Sequence, residues 1–193
     1  MARPGGSRVL RLIGGTWRGR KIQFPPVEGI RPTPDRIRET LFNWLAPVIH
    51  DARCLDLFAG SGAIGFEALS RGAAQVVMVE REHRVADYLR QTGAELGPES
   101  RLRVVQADAL KLLAAGRPAE TEAFDIVFLD PPFRRDLLSG ALDALSEGNW
   151  LAPGAVVYAE AEKELGEPAL PRGWTLRRRK ESGQVAYHLI DTA

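Results

Sequence analysis

The chain has one cysteine, three histidines and no apolar run that reaches the 18 residues of a membrane span. Cys54, inside the apolar stretch Arg53–Phe58, has no partner within the chain. An intrachain disulfide framework is therefore excluded, and a reducing, cytoplasmic compartment is expected. His50, His83 and His188 are scattered, and with one cysteine they offer no metal-ligand spacing, so no metal is expected. The opening residues, Met-Ala-Arg-Pro-Gly-Gly-Ser-Arg, lack the apolar stretch of a secretory signal. Internal repeats and low-complexity tracts are also missing. At 193 residues and 45% hydrophobic, the composition fits one core with a small appendage, and a monomer is the default expectation.

Acidic residues are absent where basic ones gather. Residues 1–24 hold Arg3, Arg8, Arg11, Arg18, Arg20 and Lys21 with no Asp or Glu, and Arg177–Lys180 adds four more positive charges. With a net charge of +1, the rest of the chain must be acidic on balance. Such asymmetry suggests a polyanionic partner, the plainer reading being a solvated basic tail.

Arg8–Ile13 and Trp17–Phe24 alternate and are rich in strand formers. Gly14-Gly15-Thr16 separates them, which predicts a hairpin. Pro25, Pro26, Gly29 and Pro32 make a stiff linker, and a division into residues 1–30 and 31–193 is expected. Thr33-Pro34 reads as N-cap and first helical residue. Ile37, Leu41, Trp44, Leu45 and Val48 then recur at helical spacing to about His50. Beyond it, strands are predicted over Arg53–Phe58, Gln75–Glu80, Leu102–Gln106, Phe124–Leu129 and Ala155–Glu160. Helices are predicted near 63–71, 83–96, 109–115 and 136–147. This alternation builds a parallel α/β sheet covered on both faces. Trp174–Lys180 and Gln184–Ile190 are too close for an intervening helix and should add an antiparallel hairpin at one edge.

Cys54-Leu-Asp-Leu-Phe-Ala-Gly-Ser-Gly-Ala-Ile-Gly65 carries a strand through a glycine turn into a helix. Gly60, Gly62 and Gly65 match the dinucleotide pattern, with Glu80 twenty residues after Gly60, so a nicotinamide-dependent oxidoreductase must be weighed. Asp56 opposes that reading, because a carboxylate at the strand end would repel a pyrophosphate. It favours a positively charged ligand, and S-adenosylmethionine carries both a sulfonium and an ammonium. Glu80 is placed to accept from ribose hydroxyls and Asp108 from an adenine amino group. For each acid the alternative is a helix cap or a solvated strand end. Asp56, Glu80, Asp108 and Asp130 nevertheless fall at the ends of successive strands.

Asp130-Pro131-Pro132-Phe133 follows the fourth of these strands, at the carboxyl end where open α/β sheets bind ligands. Two prolines remove two N–H donors and stiffen the turn, which presents carbonyl oxygens, a carboxylate and an aromatic face. Such a loop suits a planar base bearing an exocyclic amino group.

With Asp56-Leu-Phe-Ala-Gly-Ser-Gly62, Glu80, Asp108 and Asp-Pro-Pro-Phe133, the chain resembles class I S-adenosylmethionine-dependent methyltransferases that act on amino groups. Ile13-Gly-Gly-Thr-Trp-Arg-Gly-Arg20 and Arg31-Pro-Thr-Pro-Asp-Arg-Ile-Arg-Glu-Thr-Leu-Phe-Asn-Trp44 narrow it. Nearly end to end, the chain is similar to bacterial 16S rRNA guanine-N(2)-methyltransferases, which modify guanine 966 of small-subunit rRNA. The resemblance implies a Rossmann-like fold with a mostly parallel seven-stranded sheet, a C-terminal antiparallel hairpin and a small N-terminal β-hairpin. It implies S-adenosylmethionine as cofactor (product S-adenosylhomocysteine), held by Asp56, Phe58, Gly60, Ser61, Gly62, Glu80, Asp108 and Ala109. Asp130, Pro131 and Phe133 would be catalytic. The partner would be 16S rRNA within the small ribosomal subunit or an assembly intermediate of it. Arg11, Trp17, Arg18, Arg20 and Arg31 would meet the RNA, although Trp17 could equally pack the hairpin. The proline loop is shared with DNA adenine and cytosine amino-methyltransferases. A DNA or other amino-directed enzyme is therefore the alternative, and a non-enzymatic RNA-binding module is a more distant one.

Overall fold

The computed structural model describes residues 8–25, 27, 32–97, 100–133 and 136–193. Arg3, Pro26, Gly29 and Arg31 lie outside them. The hairpin comprises β1 (Arg8–Arg11) and β2 (Lys21–Phe24), paired antiparallel from Arg8↔Phe24 to Arg11↔Lys21. The remaining strands are β3 (Arg53–Asp56), β4 (Gln75–Glu80), β5 (Leu102–Gln106), β6 (Phe124–Leu129), β7 (Leu151–Glu162), β8 (Thr175–Ser182) and β9 (Val185–Asp191). They form one sheet in the order β5-β4-β3-β6-β7-β9-β8. The first five are parallel, and β9 is antiparallel to both β7 and β8.

The helices are α1 (Asp35–Leu45), α2 (Ala63–Ser70), α3 (His83–Leu96), α4 (Ala109–Ala114) and α5 (Leu137–Glu147). Val76–Val79 are buried in succession, as a parallel strand covered on both faces requires. Leu41 of α1, Phe66 of α2 and Leu89 of α3 share one core with Leu10, Ile22 and Phe24 of the hairpin. Leu113 of α4 and Leu142 of α5 belong to a second core against the other face. The hairpin is thus fastened into the first core. Gly15 sits at φ +71°, and a Cβ there would lie 1.8 Å from the Ser70 carbonyl oxygen at the end of α2. No other residue fits so close to that backbone.

Several boundaries differ from expectation. Trp17–Arg20 is not strand: Gly15–Trp17 is a 3₁₀ turn, and the Trp17 N–H donates to Ser70 Oγ at 2.9 Å. Pro34 occupies the N-cap of α1, and the Thr33 side chain bonds elsewhere. The helix stops at Leu45, not near His50: Ala46 still has helical dihedrals, but Pro47 has no N–H to donate to the Asn43 carbonyl and so ends the ladder. β7 starts at Leu151 and crosses Pro153-Gly154 where its register with β6 shifts, an irregularity that alternating apolar residues do not report. The chain runs β3 to β4 to β5 in one direction, then crosses to β6 on the other side of β3. That reversal places a crevice between the carboxyl ends of β3 and β6.

Candidate active site

Both loops flanking this crevice are the ones singled out by sequence. After β3, Gly60 and Gly62 take φ +50° and +76° and turn the backbone into α2. Glu80, closing β4, accepts the Gly60 N–H at 3.0 Å through Oε2 and the Glu82 N–H at 2.8 Å through Oε1. Each carboxylate oxygen keeps a further lone pair. Asp108 caps α4, accepting the Lys111 N–H at 3.1 Å on Oδ1, so the cap alternative holds for that oxygen and Oδ2 remains. Ser61 and Ala109 are buried and Phe58 is half-buried.

Asp56 is 2% exposed beneath the glycine turn. Burial, and then the nearby Asp130 charge, push its carboxyl up to about 7, with the N–H groups of Phe58 and Gly65 pulling the other way. On β6, Phe128 is level with Asp56, so Asp130 two residues on emerges on the same face. Burial pushes Asp130 up to about 6, against a hydrogen bond from Thr33 Oγ1 to Oδ2 at 3.2 Å. Pro131 is buried behind it, whereas Phe133 is 39% exposed.

Glu160 was not anticipated. Register continues from Leu129↔Ala159 to set it beside Asp130, and it is 3% exposed. Tyr158 Oη donates to its Oε1 at 2.8 Å. Burial and the Asp130 charge hold Glu160 well above the usual carboxylate range. Its signal in the sequence was the one that marked Asp56, an acid within an apolar strand. Thr33 was legible only as a helix cap. Arg38 and Glu67, which no local sequence pattern marks, are fully buried.

The proposed RNA residues divide. Arg18 and Arg20 are exposed and make no ion pair among the described residues, and Arg11 is exposed near Asp35 at 4.0 Å. Trp17 is buried, with the Arg101 guanidinium 6.0 Å above its ring. Of its two roles, packing is the one its surroundings fill. Arg31 lies outside the described residues.

The chemistry of the donor set decides what the crevice suits. Among the described residues, the groups acting on Asp56, Asp130 and Glu160 include further carboxyls, hydroxyls and backbone N–H groups but no cation. Such a site favours a positively charged ligand and opposes a pyrophosphate. S-adenosylmethionine fits it; a nicotinamide dinucleotide does not.

A parallel sheet with this strand order, closed by an antiparallel hairpin, makes the protein a class I methyltransferase in fold. A family model described as "Conserved hypothetical protein 95" matches residues 10–191. Ribosomal RNA small subunit methyltransferase D of Escherichia coli (strain K12) is 51% identical over 185 residues, 95% of this chain and 90% of that one. Its namesake in Haemophilus influenzae is 45% identical over 188 residues, 96% and 95% of the two chains. The solved structure of the putative methyltransferase yhhF from Escherichia coli superposes with a TM-score of 0.85 at 48% identity. That match covers 95% of this chain and 98% of the other. The chain belongs to the ribosomal RNA small subunit methyltransferase D family.

Proposed function

We propose that this protein transfers a methyl group from S-adenosylmethionine to the exocyclic 2-amino group of guanine 966 in 16S rRNA. It would act in the cytoplasm on the small ribosomal subunit or an assembly intermediate. The choice of guanine follows the family resemblance. The choice of an amino group is carried by one observation: the Asp130 carboxylate, at the head of the Pro131-Pro132-Phe133 loop, shares a sheet face with Asp56 across the crevice.

Asp56, Glu80 and Asp108 would hold the cofactor, with Phe58, Gly60, Ser61, Gly62 and Ala109 lining it. Asp56 answers positive charge, Glu80 the ribose hydroxyls and Asp108 Oδ2 the adenine amino group. When bound, the cofactor supplies a methyl carbon whose bond to sulfur breaks as one to N2 of guanine forms, sulfur keeping the electron pair. The guanine N2 lone pair is delocalised into the ring and must be turned out of it. Asp130 Oδ1 and the Pro131 carbonyl each accept one amino hydrogen and aim that lone pair. Most of the acceleration comes from this orientation, and the Asp130 charge stabilises the positive charge developing on nitrogen until the acidic methylated aminium gives one proton to water. Phe133 stacks on the base, worth ~1–3 kcal/mol. The base must leave its own stack to enter. Arg11, Arg18 and Arg20 bind phosphates, which fixes orientation without reading sequence.

The test is methylation of unmodified small subunits with a labelled donor, followed by nucleoside analysis. N2-methylguanosine at position 966 is expected. N6-methyladenosine or N4-methylcytidine as the product would overturn the assignment.

A further inference from the structure

Thr33 and Asp130 are 97 residues apart in sequence, yet the Thr33 hydroxyl donates to Asp130 Oδ2 at 3.2 Å. Thr33 is buried, and its backbone is held as firmly as its side chain. The Arg38 Nε–H donates to the Thr33 carbonyl at 3.2 Å. That guanidinium is fixed in turn: Nη1 donates to Glu67 Oε2 at 3.0 Å, and Nη2 to Asp35 Oδ1 at 2.6 Å and to the Arg11 carbonyl at 2.8 Å. One rigid cation therefore sets the position of Thr33, and the same cation carries the backbone of the hairpin.

A threonine hydroxyl has a single hydrogen to donate. Directed at Oδ2, it restrains the rotation of the carboxylate and does not engage Oδ1. We propose that Thr33 is a positioning residue for Asp130, aiming its free oxygen at the incoming amino group, with Arg38 placing the hydroxyl through the Thr33 carbonyl. The proposal rests on reading Asp130 as the amino-group acceptor. Among the described residues, the charged and titratable groups facing Asp130 are Asp56 from β3 and Glu160 and Tyr158 from β7. Burial works against the ionised form of Asp130, and the Thr33 hydroxyl favours it. Thr33 thus keeps the acceptor charged as well as aimed.

The experiment compares Thr33→Val, which removes the hydroxyl at nearly constant shape, with Thr33→Ser, which keeps it. Thr33→Val should lower kcat by about tenfold or more, as loss of a hydrogen bond to a charged group does. KM for RNA and cofactor affinity should stay within about twofold. The acid limb of the kcat profile should move to higher pH, because Asp130 loses the donor that favours its charge. Thr33→Ser should restore both rate and limb. Wild-type kcat and limb in Thr33→Val would overturn the proposal. So would Thr33→Val and Thr33→Ser that are equally slow at every pH, since that pattern belongs to packing alone. Asp130→Ala, measured alongside, separates the two levels. If it turns over normally, the reading of Asp130 itself fails; if it is inert while Thr33→Val is normal, only the positioning role fails.

Discussion

Arg38 on α1 and Glu67 on α2 form a fully buried ion pair, Nη1 to Oε2 at 3.0 Å, and the same Oε2 accepts the Ile13 N–H of the hairpin at 3.0 Å. Arg71 Nε donates to the other oxygen, Oε1, at 2.8 Å. Three segments therefore meet on one carboxylate. Glu67→Ala leaves the Arg38 charge buried without this partner and should cost about 3–5 kcal/mol of stability by urea unfolding. Loss of less than ~1 kcal/mol would show that the pair is dispensable.

Asp56→Asn should stabilise the ligand-free protein at pH 8. Burial and the Asp130 charge raise this carboxyl in the folded state to about 7. A raised carboxyl favours folding while protonated, so its contribution is complete below the unfolded value and is lost as pH rises through about 7. The asparagine variant has no proton to lose. Melting curves from pH 4 to 8.5 should give matched stabilities at the acid end and a gap on the order of 2–4 kcal/mol at the alkaline end. A gap constant across the range would contradict this sign.

Cofactor binding should release protons. Asp56 and Asp130, at about 7 and about 6, are partly protonated at pH 6.5, and a cation beside them lowers both. Calorimetry in buffers of different ionisation enthalpy should record net release on binding S-adenosylmethionine, and less for S-adenosylhomocysteine, which lacks the sulfonium charge. Net proton uptake would count against cation binding in this crevice.

Reversing Arg18, Arg20 and Lys21 to glutamate should weaken RNA binding and flatten its salt dependence, with cofactor affinity kept. Removing the hairpin is a poorer test, because Leu10, Ile22 and Phe24 would leave the core with it. An unchanged salt slope would direct the RNA to another surface.

The positions of Asp56, Glu80, Asp108 and Asp130 were legible in the sequence because strand ends can be read from apolar runs, and each acid interrupts or follows one. The local pattern could not report contacts between distant segments. Thr33 has the side chain of a helix cap, and only the fold brings it to Asp130. Arg38 and Glu67 carry charge and are nevertheless buried, each bonded to the hairpin backbone. Trp17 suits a base or the core equally by its local sequence, and only the fold brings Ser70 and Arg101 around it. Glu160 could have been found, since it breaks its strand as Asp56 does.

Single-turnover methyl transfer by Asp130→Ala, on small subunits from cells lacking the modification and with cofactor affinity measured alongside, is the most direct measurement. Transfer should fall by about 10²–10³ or more with cofactor affinity little changed. More than half of wild-type turnover would remove Asp130 from the chemistry.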